Sequence, residues 1–179
     1  MARYVALLRG INVGGKNLIR MADLKACFEK HGCEEVATYI QSGNVLFSSS
    51  GSRRAELVRG LEALLAKSFS YRASLVLRTD EELRAIVEEA PEGFGATPES
   101  YRYDVIFLKE PLEATAAIEE VPVKEGVDAA HVGPGVLYFS RLIERASESR
   151  LSKLVSLRIY ASVTIRNWNT TTKLLSLMG

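Results

Sequence analysis

The feature that most narrows what this chain can fold into is that one order of elements is written twice. Residues 4–8 are apolar throughout, as a central strand would be. Met21, Leu24, Cys27 and Phe28 then recur at helical spacing, and Gly32 supplies a stop. Two short β-prone runs, 36–40 and 45–47, flank Gln41-Ser42-Gly43-Asn44, which reads as a hairpin turn. Leu57, Leu61, Leu64 and Leu65 mark an amphipathic helix, and Leu75-Val76-Leu77 a fourth strand. Thr79-Asp80-Glu81-Glu82 has the capping-box spacing and opens a helix with Leu83, Ile86, Val87 and Ala90 on its face.

After the turn-rich stretch 91–98 the order restarts. Arg3-Tyr4 is echoed by Arg102-Tyr103, and Glu35-Val36 by Glu120-Val121. Val45-Leu46-Phe47-Ser48 is echoed by Val136-Leu137-Tyr138-Phe139-Ser140, and residues 73–79 by 161–167. Dipeptides recur by chance, but four echoes in the same order indicate internal duplication. A β-α-β-β-α-β order with right-handed crossovers closes into a split βαβ arrangement. The expected fold is therefore α+β, a tandem duplication of two ferredoxin-like (βαββαβ) subdomains packed as one unit. The expected boundaries are 1–90 and 101–179, with a linker at 91–100. A unit of roughly 80 residues buries little surface alone, which gives two copies a reason to behave as one body.

Composition excludes several classes. Lys and Arg number 23 against 22 Asp and Glu, so no polyanion or acidic membrane is advertised as a partner. The longest apolar run is five residues, far short of the ~20 a membrane helix needs. It is also too short for a signal-peptide core. Two cysteines build no disulfide framework, so a cytoplasmic location is expected.

The halves differ where chemistry could sit. After the first strand comes Arg9-Gly10-Ile11-Asn12-Val13-Gly14-Gly15-Lys16-Asn17-Leu18-Ile19-Arg20; the second copy has only Lys109-Glu110-Pro111 before its helix. Glycines allow positive φ and close backbone approach. Clustered N–H groups beside Arg9, Lys16 and Arg20, ahead of a helix N-terminus, suit a phosphate, sulfate or carboxylate. The alternative is a loop that crosses the sheet edge, its asparagines making local turns. Residues 10–16 also fit G-x-x-x-x-G-K, but Asn17 stands where a P-loop needs Ser or Thr for Mg²⁺, so that motif is rejected.

Three segments, Leu7-Leu8-Arg9-Gly10-Ile11-Asn12-Val13-Gly14-Gly15-Lys16-Asn17, Tyr39-Ile40-Gln41-Ser42-Gly43-Asn44-Val45 and Thr164-Ile165-Arg166-Asn167-Trp168-Asn169-Thr170, resemble a bacterial family catalogued as domain of unknown function 1697. The resemblance covers essentially the whole chain. It implies a cytoplasmic protein of about this length with two ferredoxin-like subdomains, and no reaction. It also implies a shared polar surface of Arg9, Asn12, Ser42, Asn44, Arg166 and Asn167.

Read from the residues alone, Gln41-Ser42-Gly43-Asn44 is a hairpin turn, expected at the sheet end opposite the glycine loop. Residues 48–52 are expected on the glycine loop's side, as a solvated turn. Arg78 and Arg166 read as end-of-strand surface residues. Asn167 or Asn169 can cap the last helix, whose apolar face is Leu174, Leu175 and Met178. Trp168, the only tryptophan, is a core anchor or a stacking platform. Cys27, His31 and Cys33 have no fourth ligand for a tetrahedral metal, and Cys27 fits an apolar stripe. His131 reads as a structural strand residue. No elbow serine, zincin helix or paired-cysteine knuckle appears, so no base, nucleophile, metal or cofactor is assigned and enzymatic turnover is left open. The expected function is recognition of a small anionic, phosphorylated or nucleotide-like, ligand by Arg9, Asn12, Gly14, Gly15, Lys16, Asn17, Ser42, Asn44, Arg166 and Asn167. The alternatives are a single-stranded nucleic-acid-binding module, with Tyr39, Phe47, Tyr138 and Phe139 as its aromatics, and a protein-interaction or regulatory module.

Overall fold

Apolar runs short enough to be strands and stripes spaced for helices give this chain two four-stranded antiparallel sheets, each with flanking helices. The computed structural model describes residues 1–50 and 53–179. These form two compact units, Met1–Asp80 with Ser176–Gly179, and Glu81–Leu175.

In the first unit β1 (Ala2–Leu8) leads through a long loop to α1 (Met21–Lys30), then β2 (Glu34–Tyr39), β3 (Asn44–Ser49), α2 (Arg54–Phe69) and β4 (Leu75–Thr79). The sheet order is β2-β3-β1-β4, so β1 is interior, as its unbroken apolar run requires. Both alternations of β1 are buried, Val5 and Leu7 as fully as Ala6 and Leu8. The core gathers Ala6, Leu8, Val45, Phe47 and Leu77 with Leu24 and Phe28 of α1 and Leu57, Leu61 and Leu65 of α2. Phe28 meets Phe47 edge-on at 5.3 Å. The stripes read from the sequence are the stripes that pack.

The second unit takes α3 (Asp80–Glu88) from Glu81 onward, then β5 (Tyr101–Leu108), α4 (Ala114–Glu120), β6 (Asp128–Gly133), β7 (Val136–Leu142), β8 (Val163–Asn167) and α5 (Trp168–Met178) as far as Leu175. The sheet order, β6-β7-β5-β8, repeats that of the first. One element differs. Where the first unit has α2, the second has three short 3-10 segments, Ile143–Glu148, Leu151–Ser156 and Arg158–Ser162. Leu151, Leu154 and Ile159 from these turns reach the core that a helix would otherwise cover.

Backbone bonds fix how the sheets correspond. Leu8 N–H donates to Gly43 O and Leu108 N–H to Gly135 O; Arg9 N–H donates to Ser74 O and Lys109 N–H to Ser162 O. Ala6 lies opposite Val45 and Ile106 opposite Leu137, so the third-strand echo slips by one residue from the sequence match. The Glu35-Val36 echo is corrected outright. Glu35 lies in β2, whereas Glu120 ends α4, and the counterpart of β2 is β6.

Candidate functional site

The glycine loop closes on itself. Gly14 and Gly15, at φ 57° and 74°, form the centre of a two-residue turn with both positive dihedrals of type I′, and Lys16 N–H donates to Val13 O at 3.0 Å. Asn12 N–H donates to Asn17 O at 3.1 Å, extending this into a miniature hairpin. Asn12 and Asn17 also lie at positive φ, a region asparagine tolerates. Their side chains hold the frame. Asn17 Nδ2 donates to Gly10 O at 2.8 Å. Asn12 Oδ1 accepts from Ile19 N–H at 2.8 Å, while its Nδ2 donates to Ile19 O at 3.1 Å and to Gln41 O at 2.8 Å.

That last bond corrects the expected geometry. The glycine loop and the turn before β3 lie at the same end of the sheet, because antiparallel pairing sets Leu7 opposite Asn44. Gly43 seals the junction. At φ +80°, a Cβ there would stand 2.7 Å from Ile11 Cδ1 and 2.9 Å from Leu8 Cβ. Ser48 and Ser49, which end β3, are at the other end, Ser49 being opposite Ala2. Gly51 and Ser52 of that run lie outside the described residues.

The predicted site residues therefore divide. Asn12, Asn17 and Asn44 spend their side chains on the scaffold; buried Asn44 donates to Tyr39 O and Ser42 Oγ, both at 2.9 Å. Gly14, Gly15 and Lys16 stand exposed at the tip. Arg9 is half-buried at the end of β1. Arg20 pairs with Asp23 at 2.8 Å, so the cation nearest the α1 N-terminus is already matched. Val13, Leu18 and Ile40 are exposed around the tip.

In the second unit, Asn167 Oδ1 accepts from Thr170 N–H at 2.7 Å and so caps α5. Arg166 is buried, not a surface residue, and so is Arg78. Each lies opposite a buried valine, Val105 or Val5, on the alternation of its strand that the core residues Leu77 and Ile165 do not use. Each turns back to the preceding carbonyl: Arg166 Nη1 donates to Ile165 O at 2.9 Å and Arg78 Nη1 to Leu77 O at 2.8 Å. Burial lowers the Arg166 pKa to about 10. Trp168 meets Phe94 edge-on at 5.1 Å and, with Asn167, borders a hollow that also includes Asp104 and Arg141. The sequence reading passed over Asp104 and Arg141, since a charge in an alternating strand carries no mark of its neighbours.

The remaining groups pack. Cys27 and Cys33 are buried free thiols, and burial followed by the proximity of Cys27 raises Cys33 to about 11. His31 lies against Gly60 of α2. His131 is an exposed residue of β6 opposite Tyr138. Phe47, Tyr138 and Phe139 are fully buried, so three of the four aromatics of the nucleic-acid reading cannot stack on a base. Among the described residues no helix is long and apolar enough to cross a membrane.

Comparison with curated proteins returns no match. Among solved structures the chain is similar to conserved bacterial protein SP0830 from Streptococcus pneumoniae, at 32% identity over 99% of each chain with a TM-score of 0.85. The family described as "Protein of unknown function (DUF1697)" matches residues 1–138, and this chain belongs to it.

Proposed function

We propose that the chain recognises a small anionic ligand at the tip Gly14-Gly15-Lys16, on a frame of two ferredoxin-like copies that arose by duplication. The matching strand orders and the paired backbone bonds at Leu8/Leu108 and Arg9/Lys109 support the duplication. The observation that carries the site is the bracing of the loop by Asn12. Its bonds to Ile19 and Gln41 hold the turn in one shape without any ligand, so little order has to be gained on binding. Among the described residues the amides of Gly14 and Gly15 have no hydrogen-bond partner, and Lys16 has no ion-pair partner. Two outward amides beside a cation form a small nest for an anion.

Titration of inorganic phosphate into labelled full-length protein tests this. Saturable amide shifts confined to Gly14, Gly15 and Lys16, lost in Lys16→Ala, are expected. Shifts that are absent, or that persist in Lys16→Ala, defeat the reading.

A second reading, protein docking through the same tip, draws on one observation: Val13, Leu18 and Ile40 are 65%, 76% and 48% exposed. Leu18→Ser separates the two. It leaves phosphate shifts intact under the first reading and weakens self-association in sedimentation under the second.

A further inference from the structure

The hollow beside Trp168 has its own logic. β8 pairs with β5 only from Asp104↔Asn167 onward, and the chain then turns into α5. Tyr101, Arg102 and Tyr103 thus run past the end of β8 with no strand of the described residues beside them on that side. This notch at the sheet edge is a cavity of about 410 Å³, within the size range of small-molecule sites.

Its charges are arranged oddly for a structural surface. Arg102 and Arg141 lie directly opposite across β5 and β7, a like-charge pair that sheets avoid. Asp104 and Asn167 share that face, since directly opposed and alternate residues point the same way. Among the described residues Asp104 is the only carboxylate bordering the cavity, and its Oδ2 is 3.9 Å from Arg141 Nη2, at the outer limit of an ion pair. Arg141 Nε is buried without a hydrogen-bond partner. Two guanidinium groups against one carboxylate leave a net positive cavity whose central arginine is under-satisfied, and an arginine fork is best completed by a carboxylate or phosphate.

The other wall is aromatic and fixed; by the same alternation Tyr103 projects from the opposite face of β5, so the notch reaches both faces around the unpaired edge of that strand. Phe94 meets Tyr103 at 4.9 Å and Trp168 at 5.1 Å, both edge-on. Tyr103 is held further by the Thr97 hydroxyl at 2.8 Å, and Gly95 lies against the Trp168 indole. Rigid rings beside a cationic fork select a ligand that is flat at one end and acidic at the other.

We infer that the notch between β5 and the start of α5 is a binding site for a small aromatic anion, its acidic group held by Arg141 with Arg102 and its ring set against Trp168 and Tyr103. This site is separate from the Gly14-Gly15-Lys16 tip and does not depend on it.

Trp168 is the only tryptophan, so selectively excited indole fluorescence reports on this site alone. The probes are phenyl phosphate and benzoate, with inorganic phosphate, acetate and benzamide as controls that lack the ring or the charge. Saturable change with the two aromatic anions, at affinities at least about tenfold above every control, is expected from one charged hydrogen-bonded contact plus ring burial. Arg141→Leu should weaken that binding about tenfold or more. Asp104→Asn removes the competing carboxylate, so it should bind as tightly as the parent or tighter, whatever Arg141→Leu does to folding. Lys16→Ala should bind like the parent. No saturable response, equal responses to controls, weaker binding by Asp104→Asn, or loss of binding in Lys16→Ala would each overturn the assignment.

Discussion

Asn12→Ala is the perturbation on which the description of the glycine loop can be judged most directly. The Asn12 side chain makes three hydrogen bonds, two with Ile19 and one with Gln41. At about 1 kcal/mol each these total about 3 kcal/mol, of which water recovers a share because the residue is half-exposed. Asn12 also sits at φ 52°, where alanine costs roughly 1–2 kcal/mol. The two effects together predict a loss of about 2–4 kcal/mol in urea unfolding. Asn12→Gly separates them, because glycine takes this φ freely and loses only the bonds. It should recover about 1–2 kcal/mol relative to alanine. Asn12→Asp keeps an acceptor for Ile19 N–H but turns a carboxylate toward the Ile19 and Gln41 carbonyls, so it should be no better than alanine. Amide exchange at Ile19 should quicken in the alanine and glycine variants, which remove its acceptor. An alanine variant within about 0.5 kcal/mol of the parent would mean that these bonds do not brace the loop, and a glycine variant no better than alanine would mean that the positive φ adds no cost.

Gly43→Ala should cost roughly 2–5 kcal/mol in the same assay, combining a positive φ with overpacking against Ile11 and Leu8. Gly14→Ala shares the positive φ, but nothing lies within 4 Å of its Cβ, so it should cost only about 1–2 kcal/mol. Lys16→Ala should shift unfolding by no more than about 0.5 kcal/mol, since the side chain is exposed and has no ion-pair partner among the described residues. Burial raises the Asp104 pKa, opposed by Arg141 and then Arg102. The native state therefore keeps this proton at a pH where the unfolded chain has released it, so the group's contribution falls as pH rises through the native value. Unfolding measured against pH should show Asp104→Asn gaining on the parent from about pH 3 toward neutrality; the opposite slope would refute the burial argument. Cys33, pushed up to about 11, and buried Cys27 should resist a thiol reagent near pH 8 until urea unfolds the chain, when two thiols react.

Much of the first unit was legible because its signals are local. The stripe Leu24, Cys27, Phe28 and the run 4–8 need no partner to be recognised, and both lie where periodicity puts them. The end of the sheet that carries the loop was not legible in the same way. Only the pairing of β3 with β1 places Gly43 and Gln41 beside Ile11 and Asn12, and pairing is a long-range fact. The three 3-10 segments were hidden for a related reason. Leu151, Leu154 and Ile159 are spaced as on one helical face, yet the chain breaks at extended Leu157 and buries each from short turns that tertiary contacts define. Arg78 and Arg166 misled because arginine is usually exposed. Their strand positions opposite buried valines decide otherwise.

The same register argument explains why the more chemical half of the molecule was overlooked. Matching by letters aligns Tyr4 with Tyr103, and the two halves then look alike at this point. The backbone bonds at Leu8 and Leu108 instead align Val5 with Val105, and hence Tyr4 with Asp104 and Ala2 with Arg102. On the neighbouring strand Ser49, opposite Ala2, corresponds to Arg141, opposite Arg102. One sheet end therefore carries Ala2, Tyr4 and Ser49, with Tyr4 stacked on Phe47 at 5.6 Å. The other carries two arginines and an aspartate, half-buried at the Asp104–Arg141 pair, where desolvation makes charge costly. A fold that satisfies this position with an aromatic ring in one unit has no structural need for three charges in the other. The glycine loop is the asymmetry that length and composition advertise, whereas this one appears only after the strands are paired. If the charged end is mere surface, replacing Arg102, Asp104 and Arg141 together by Ala, Tyr and Ser should leave aromatic-anion binding where it was. Loss of that binding with the sheet intact by circular dichroism is the outcome the register comparison requires.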